Sequence, residues 1–402
     1  MPLKQTQTVS TPEFIALMAM MFATIAFSTD AMMPVLPEIA ADLSGGNVTN
    51  AAYIITFFFA GMGLGTFFAG PLSDAWGRKP VVYAGLAVYA LGALLSYAAT
   101  SLEWMLAARV LQGIGASGPR VVSTAVIRDL YEGRMMARIL SFTMMVFLLV
   151  PGMAPLMGAV ISDAFGWRAI FGAFLVFGMV IMVWFGLRIR ETLPPAARRP
   201  LRLHLMGDAV RQMLTHPTVR LSIFVQTLML TILFSVLMMV QPIFDVTFDR
   251  ADSFPIWFGA IAMASGISSL LNATLVGRFG MRRLVTWALM AQLLISTAFI
   301  LFMLADLPGL FACYVIWQFG VMVQGGLTVA NLNALAMEPM GHIAGMAASV
   351  IGSISTIGAA VIASALSGSF DGTPLPLVVI VLVVCLVATV LMQRMRRVEA
   401  AA

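Results

Sequence analysis

The sequence predicts an all-α integral membrane protein, with twelve transmembrane helices arranged as two six-helix halves. Three observations carry that prediction. The 402 residues are 60% hydrophobic and only 10% charged, where an ordinary soluble domain carries about 25% charged residues, and the mean hydropathy is +0.97. Apolar runs of about 20 residues, each long enough to cross a bilayer as a helix, recur along the chain. Basic and acidic loops alternate between those runs.

The first six spans are expected at 13–36, 50–70, 80–99, 103–124, 138–162 and 167–188. Span one carries Asp30, followed by Pro34 and Pro37. Spans two and three are separated by "GPLSDAWGRKP", in which Gly77 makes a tight turn and Arg78 and Lys79 are topology charges. Span four places Arg109 and Arg120 in an otherwise apolar run. Span five contains Pro151, Gly152, Pro155 and Gly158. Proline removes backbone hydrogen bonds and small residues let helices approach closely, so this stretch is a kink with a smooth face for a helix of the other half. Span six runs into the only long polar stretch, Arg188 to Pro217. The second half is expected to cross at 219–242, 254–276, 283–304, 308–333, 342–367 and 374–393. Its spans hold no charge in their interiors. They offer Gln226, Gln241, Asn272, Gln318, Gln324, Asn331 and Asn333, some of which should line a cavity. The chain thus divides into an N-terminal half (1–188), a linker (189–218) and a C-terminal half (219–402).

Orientation follows from the basic residues. One set of loops carries Arg78 and Lys79, then Arg128, Arg134 and Arg138, then Arg278, Arg282 and Arg283, with Arg394, Arg396 and Arg397 at the C-terminus. The opposite set holds Arg168 and Arg250 amid Glu38, Asp42, Asp163, Asp245, Asp249, Asp252, Asp306 and Asp371. Because cytoplasmic loops are the basic ones, both termini are expected on the cytoplasmic side of the membrane. The pI of about 9.6 is then a topology signal, and no nucleic-acid partner is expected. No cleavable signal peptide is expected either, since the first apolar run is too long.

Enzymatic chemistry finds no support. His204, His216 and His342 stand alone, without a metal-ligand spacing. Cys313 and Cys385 lie inside apolar spans and read as inert buried thiols. There is no Walker loop and no dinucleotide fingerprint; "GMGLG" at Gly61 to Gly65 lies inside a span. No cofactor and no metal are expected.

An internal repeat is visible. "LSDAWGRKPVV" (Leu72 to Val82) aligns with "LVGRFGMRRLV" (Leu275 to Val285), bringing Gly77 onto Gly280 at an offset of 203 residues (280 − 77), about half the chain. Two six-span halves in one orientation, joined by a cytoplasmic linker, are the plan of parallel-repeat secondary transporters, with substrate held between the halves near mid-membrane.

The motifs themselves carry a resemblance. "GPLSDAWGRKP" resembles the loop 2–3 signature of the major facilitator superfamily. "RVLQGIGA" (Arg109 to Ala116) is similar to its fourth-span signature. "PGMAPLMGA" (Pro151 to Ala159) resembles the fifth-span motif of its drug:proton antiporters, with Ala154 and Ala159 where glycine is common. With "FSTDAMMPVLPEIAADL", "VIRDLYEG" and "IAGMAASVIGS", the chain resembles the Bcr/CflA (bicyclomycin/chloramphenicol-resistance) branch over nearly its whole length. The resemblance implies a gate on the cytoplasmic face made by Gly70, Asp74, Gly77, Arg78, Lys79 and Asp129, in which Asp74 meets the start of span eleven and Arg78 meets Asp129.

Asp30 and Arg109 are the expected proton-coupling pair. Charges inside spans are costly and are functional candidates by default. Counting along spans one and four puts both in the outer third of the membrane, where they could pair directly or through water. Arg120 lies eleven residues beyond Arg109, almost three turns, and therefore on the same face as Arg109, Gln112, Gly113 and Ala116. The expected substrate cavity comprises Asp30, Met33, Arg109, Gln112, Arg120, Gln241 and Asn331. The expected function is proton-coupled export of small amphipathic drugs or metabolites by alternating access, by a monomer in the bilayer. Import of a planar nutrient, such as a riboflavin-like vitamin, is the alternative.

Overall fold

A computed structural model of the protein describes residues 9–401 except 148, 199 and 202. Twelve helices of membrane-crossing length follow one another: α1 Thr11–Leu43, α2 Val48–Trp76, α3 Arg78–Tyr97, α4 Leu102–Leu130, α5 Gly133–Phe165, α6 Arg168–Arg188, α7 Pro217–Thr247, α8 Phe254–Phe279, α9 Met281–Leu304, α10 Leu310–Met340, α11 Gly345–Ser367 and α12 Leu375–Arg397. Among the described residues there is no β-strand. Eleven of these helices are apolar enough for the membrane by composition. The exception is α4, whose 29 residues include Arg109 and Arg120 in the interior.

Three helices depart from the continuous spans expected. The regular part of α1 ends at Asp30, gives way to a 3-10 turn at Met33–Val35, and resumes as Leu36–Leu43. Pro34 and Pro37 lack the N–H groups needed to continue the ladder, which accounts for the break. Beyond Pro242, α7 loosens into a π-helical turn, Ile243–Thr247, and α8 breaks at Gly266. The polar linker also contains a helix, Leu203–Thr215, that tucks Met206, Ala209 and Met213 inward and packs on α11 and α7.

The repeat seen in the sequence is written into the backbone. Gly77 (φ +105°, ψ 166°) ends α2 and begins α3, and Gly280 (φ +81°, ψ 155°) does the same between α8 and α9. This region of backbone space is essentially reserved for glycine, and another residue there costs about 1–3 kcal/mol. Alanine at either position should therefore lower the unfolding temperature of the detergent-solubilised protein. Gly77→Ala should lower it more, because its Cβ would lie 2.7 Å from a Glu191 carboxylate oxygen, whereas a Cβ at Gly280 meets nothing within 4 Å. Equal thermal shifts for the two variants would contradict this account.

The halves meet along two seams. In the first, α2 lies on α11. The Ser364 hydroxyl donates to Thr56 Oγ1 (2.8 Å), a Cβ on Gly63 would sit 2.6 Å from Ile357 Cγ1, and one on Gly70 would sit 2.5 Å from Ser349 Oγ. Those three contacts run down α2 over about 21 Å at 1.5 Å per residue, and Phe59 adds a stacked contact with Phe234 of α7 at 4.0 Å. The second seam is α5 on α8. A Cβ on Gly152 would be 2.5 Å from Met263 Cγ, and one on Gly259 would run into the Gly152 carbonyl. The smooth face of span five does pack against a helix of the other half, and Gly158 packs inward, where a Cβ would overlap the Ala31 carbonyl.

Candidate functional site

The chemistry gathers where α1 breaks. Asp30 is the last residue of the first helical piece and is 6% exposed. Its Oδ1 accepts a hydrogen bond from the Thr29 hydroxyl at 2.9 Å. Just before it, the Ser28 hydroxyl bonds Tyr89 of α3 at 2.6 Å. Beyond the break, the Leu36–Leu43 piece is tied down by Ser162 donating to Glu38 (2.9 Å), and by Trp167 Nε1 and Arg168 donating to Asp42 (2.9 Å each). The break is thus clamped on both sides to helices of its own half.

Arg109 is completely buried. Its Nη2 donates to the Ser28 carbonyl of α1 (2.9 Å), its Nε to the Ile54 carbonyl of α2 (3.2 Å), and its Nη1 to Gln112 Oε1. The guanidinium lies over the Phe58 ring, 4.4 Å from its centroid. Of the two ways in which Asp30 and Arg109 could pair, the direct ion pair is not formed. Arg109 spends its donors on two backbones and one carboxamide, and touches α1 two residues before Asp30. Charged hydrogen bonds to carbonyls satisfy a guanidinium without a counter-charge, so α4 pins α1 and α2 together at the level of Asp30.

The other expected cavity residues are spread out. Gln112 is wholly buried and is turned towards α3, where a Cβ on Gly92 would lie 2.7 Å from Gln112 Cβ. Gly113, one turn beyond Arg109 on the same face, is pressed against the Phe58 carbonyl of α2. Met33 and Gln241 are both buried, 0% and 1% exposed, on the Met33–Val35 turn and on α7. Asn331 is occupied with α8, donating to Asn272 Oδ1 (2.6 Å) and to the Leu327 carbonyl (2.7 Å). Arg120 alone of this set is half-buried. Periodicity puts a residue on a face, but the neighbouring helices decide whether that face meets a cavity or a partner.

At the opposite end of the helices, Arg78 organises a network. It bonds Asp129 through Nε (2.8 Å) and Asp74 and Ser73 through Nη1 (2.6 and 2.7 Å). Asp74 therefore pairs with Arg78 within its own half, and among the described residues it makes no hydrogen bond to α11. The residue of this motif that touches α11 is Gly70, through Ser349. A residue not singled out from the sequence completes the network. Glu191, just past α6, accepts from the backbone N–H groups of Arg78 (2.9 Å) and Lys79 (3.0 Å) and so caps the N-terminus of α3, while Thr192 donates to Asp129 (2.9 Å). A carboxylate at a helix N-terminus meets unpaired N–H groups and the positive end of the helix dipole. The only hint in the sequence is an acidic residue directly after a span. Lys79 reaches the Gly186 carbonyl at 2.9 Å.

Among the described residues, no cluster of three His, Cys, Asp or Glu side chains could hold a metal ion, and Cys313 and Cys385 are unpaired.

Other proteins are similar to this chain. Over 377 residues (92% of this chain and 93% of the relative) the sequence is 29% identical to the bicyclomycin resistance protein homolog of Haemophilus influenzae. Over 323 residues (79% and 78%) it is 30% identical to the multidrug resistance protein MdtL of Salmonella paratyphi A. A crystal structure of a D-xylose-proton symporter has the same fold, with a TM-score of 0.76 at 12% identity over 94% of this chain and 96% of that one. Residues 17–363, from the Asp30-bearing helix through most of α11, match the Major Facilitator Superfamily, and the chain belongs to that family of multi-pass membrane transporters.

Proposed function

We propose that the protein exports small amphipathic drugs or metabolites in exchange for protons, by alternating access between halves 1–188 and 219–402. It works as a monomer in a bacterial inner membrane, with both termini and the 189–218 linker in the cytoplasm. The observation that carries this reading is Asp30, an acidic side chain deep inside a span, at a break in its helix and two residues beyond the carbonyl that Arg109 grips. The printed names of the relatives, bicyclomycin and multidrug resistance, support drug export. Protons entering down 100 mV supply about 2.3 kcal/mol each, enough for roughly 50-fold concentration without ATP. The Arg78 network acts as the cytoplasmic gate, with Gly70 as its contact to the other half. Gly77 holds the turn, and Asp74, Lys79 and Asp129 position it.

The test has two arms in proteoliposomes. With an imposed pH gradient, radiolabelled chloramphenicol or ethidium should be transported against its gradient, and no transport of either should be seen without one. In a background lacking Cys313 and Cys385, Thr56→Cys and Ser364→Cys place two thiols where hydroxyls now bond across the halves. Oxidation should stop transport and a reductant should restore it. Full transport by the crosslinked protein would count against alternating access.

A further inference from the structure

Arg120 is the one cavity candidate whose charge is unanswered. It lies in α4, ten residues before the helix ends at Leu130, about 15 Å along the axis. Its side chain makes no hydrogen bond or ion pair with any described residue, and its backbone carbonyl accepts from Ser123. The neighbouring arginines contrast with it. Arg78 is held by Asp74 and Asp129, Arg168 by Asp42 and Arg188 by Glu13, and Arg109 by carbonyls.

The direction of Arg120 follows from the faces of α4 that are already taken. Gly115 and Gly118 are pressed on Tyr89 and Gly85 of α3, and Gly113 and Ser117 on Phe58 and Gly65 of α2. At 3.6 residues per turn, Arg120 lies roughly 140–200° around the helix from Gly115 and Gly118. It therefore points away from α3, on the side flanked by α1 and α2. Those are the helices through which this half touches α7 and α11. The side chain thus lies on the flank of α4 nearest the helices that meet the other half. The acidic side chain in the interior of these spans is Asp30, which is bonded to Thr29 and sits about three turns of α1 from the level of Arg120.

An arginine left without a counter-charge inside a membrane protein is costly. Its guanidinium presents planar paired donors that match a carboxylate in bidentate fashion. We propose that Arg120 is a specificity-determining residue that binds a carboxylate on the transported substrate, so the protein handles organic acids in preference to their neutral isosteres. This rests on the transport reading for the word substrate, but it is a statement about equilibrium binding and does not depend on proton coupling.

The experiment is equilibrium binding to the full-length protein in lipid nanodiscs, with three probe pairs. These are salicylate and salicylamide, indole-3-acetate and indole-3-acetamide, and nalidixate and its carboxamide. For at least one pair the carboxylate should bind about tenfold tighter or more, as expected for a charged, paired hydrogen bond. Arg120→Gln should bring that ratio to about one and leave the amide's affinity unchanged. Arg120→Lys should retain only part of the preference, since an ammonium cannot form the fork; if Arg120→Gln does not fold, this variant decides. The proposal is overturned if no carboxylate binds tighter than its amide, or if the preference persists undiminished in the substituted protein. Loss of the preference alongside intact pH-driven chloramphenicol transport by the wild type would leave the transport reading standing. A carboxylate preference in a protein that moves nothing under a pH gradient would do the reverse.

Discussion

Asp30→Asn should abolish pH-driven transport and substrate-induced proton release, while leaving substrate binding and downhill exchange largely intact. The amide has nearly the shape of the acid and keeps an oxygen for the Thr29 hydroxyl, which now donates to Asp30 Oδ1 at 2.9 Å. What it loses is the ability to gain and shed a proton, and a coupled exchanger needs that ability inside its cavity; an arginine cannot supply it at working pH. The measurement is proton release from the purified protein on adding substrate, read with a pH indicator, wild type against variant. Undiminished release would remove Asp30 as the coupling site. Glu13 and Asp129 would be the next carboxylates to test, and the structure makes both poor substitutes. Glu13 is clamped by Arg188 (2.6 and 2.7 Å) and Trp184 (3.0 Å), and Asp129 by Arg78 and Thr192.

Arg109→Ala should be more damaging still. No ion pair is broken. Instead the Ser28 carbonyl, the Ile54 carbonyl and Gln112 Oε1 each lose a charged donor in a completely buried site. Buried groups left unsatisfied cost about 1–3 kcal/mol each, and the Phe58 ring loses its cation as well. The variant should show both a lower unfolding temperature and loss of transport. Arg109→Lys should recover part of the stability and little of the transport, because one ammonium cannot span α1, α2 and Gln112 with the geometry of the fork. Wild-type turnover by Arg109→Ala would mean that α4 need not hold the break in α1.

Comparing these two residues shows how far the sequence reaches. Both were visible as charges in apolar runs, because the cost of charge in a bilayer makes each exception conspicuous. Their relationship was not visible. Counting residues along two spans put them at similar depth, yet the guanidinium bonds backbone carbonyls, which leave no mark in a sequence. The break after Asp30 was foreshadowed by Pro34 and Pro37. The cap that Glu191 provides, 113 residues from Arg78, was not, since an acidic residue after a span has many possible neighbours. The turn at Gly77 and its repeat at Gly280 were legible as aligned glycines because only glycine tolerates that backbone.

The sequence by itself determined the twelve spans, the basic-loop asymmetry, the two-fold repeat and the short roster of charged residues in the interior. These properties follow from local composition and period. A membrane imposes them directly, since every backbone group must be bonded within its own helix and every buried charge needs a reason. Only the tertiary structure decided which faces meet. It turned Gln112 to α3 and Asn331 to α8, buried Met33 and Gln241, gave Asp74 to Arg78, and left Arg120 unanswered. Those outcomes depend on the close approach of helices distant in the chain, such as Gly63 on Ile357 and Gly152 on Met263. Packing of that kind is a property of two surfaces together, and neither helix encodes it alone.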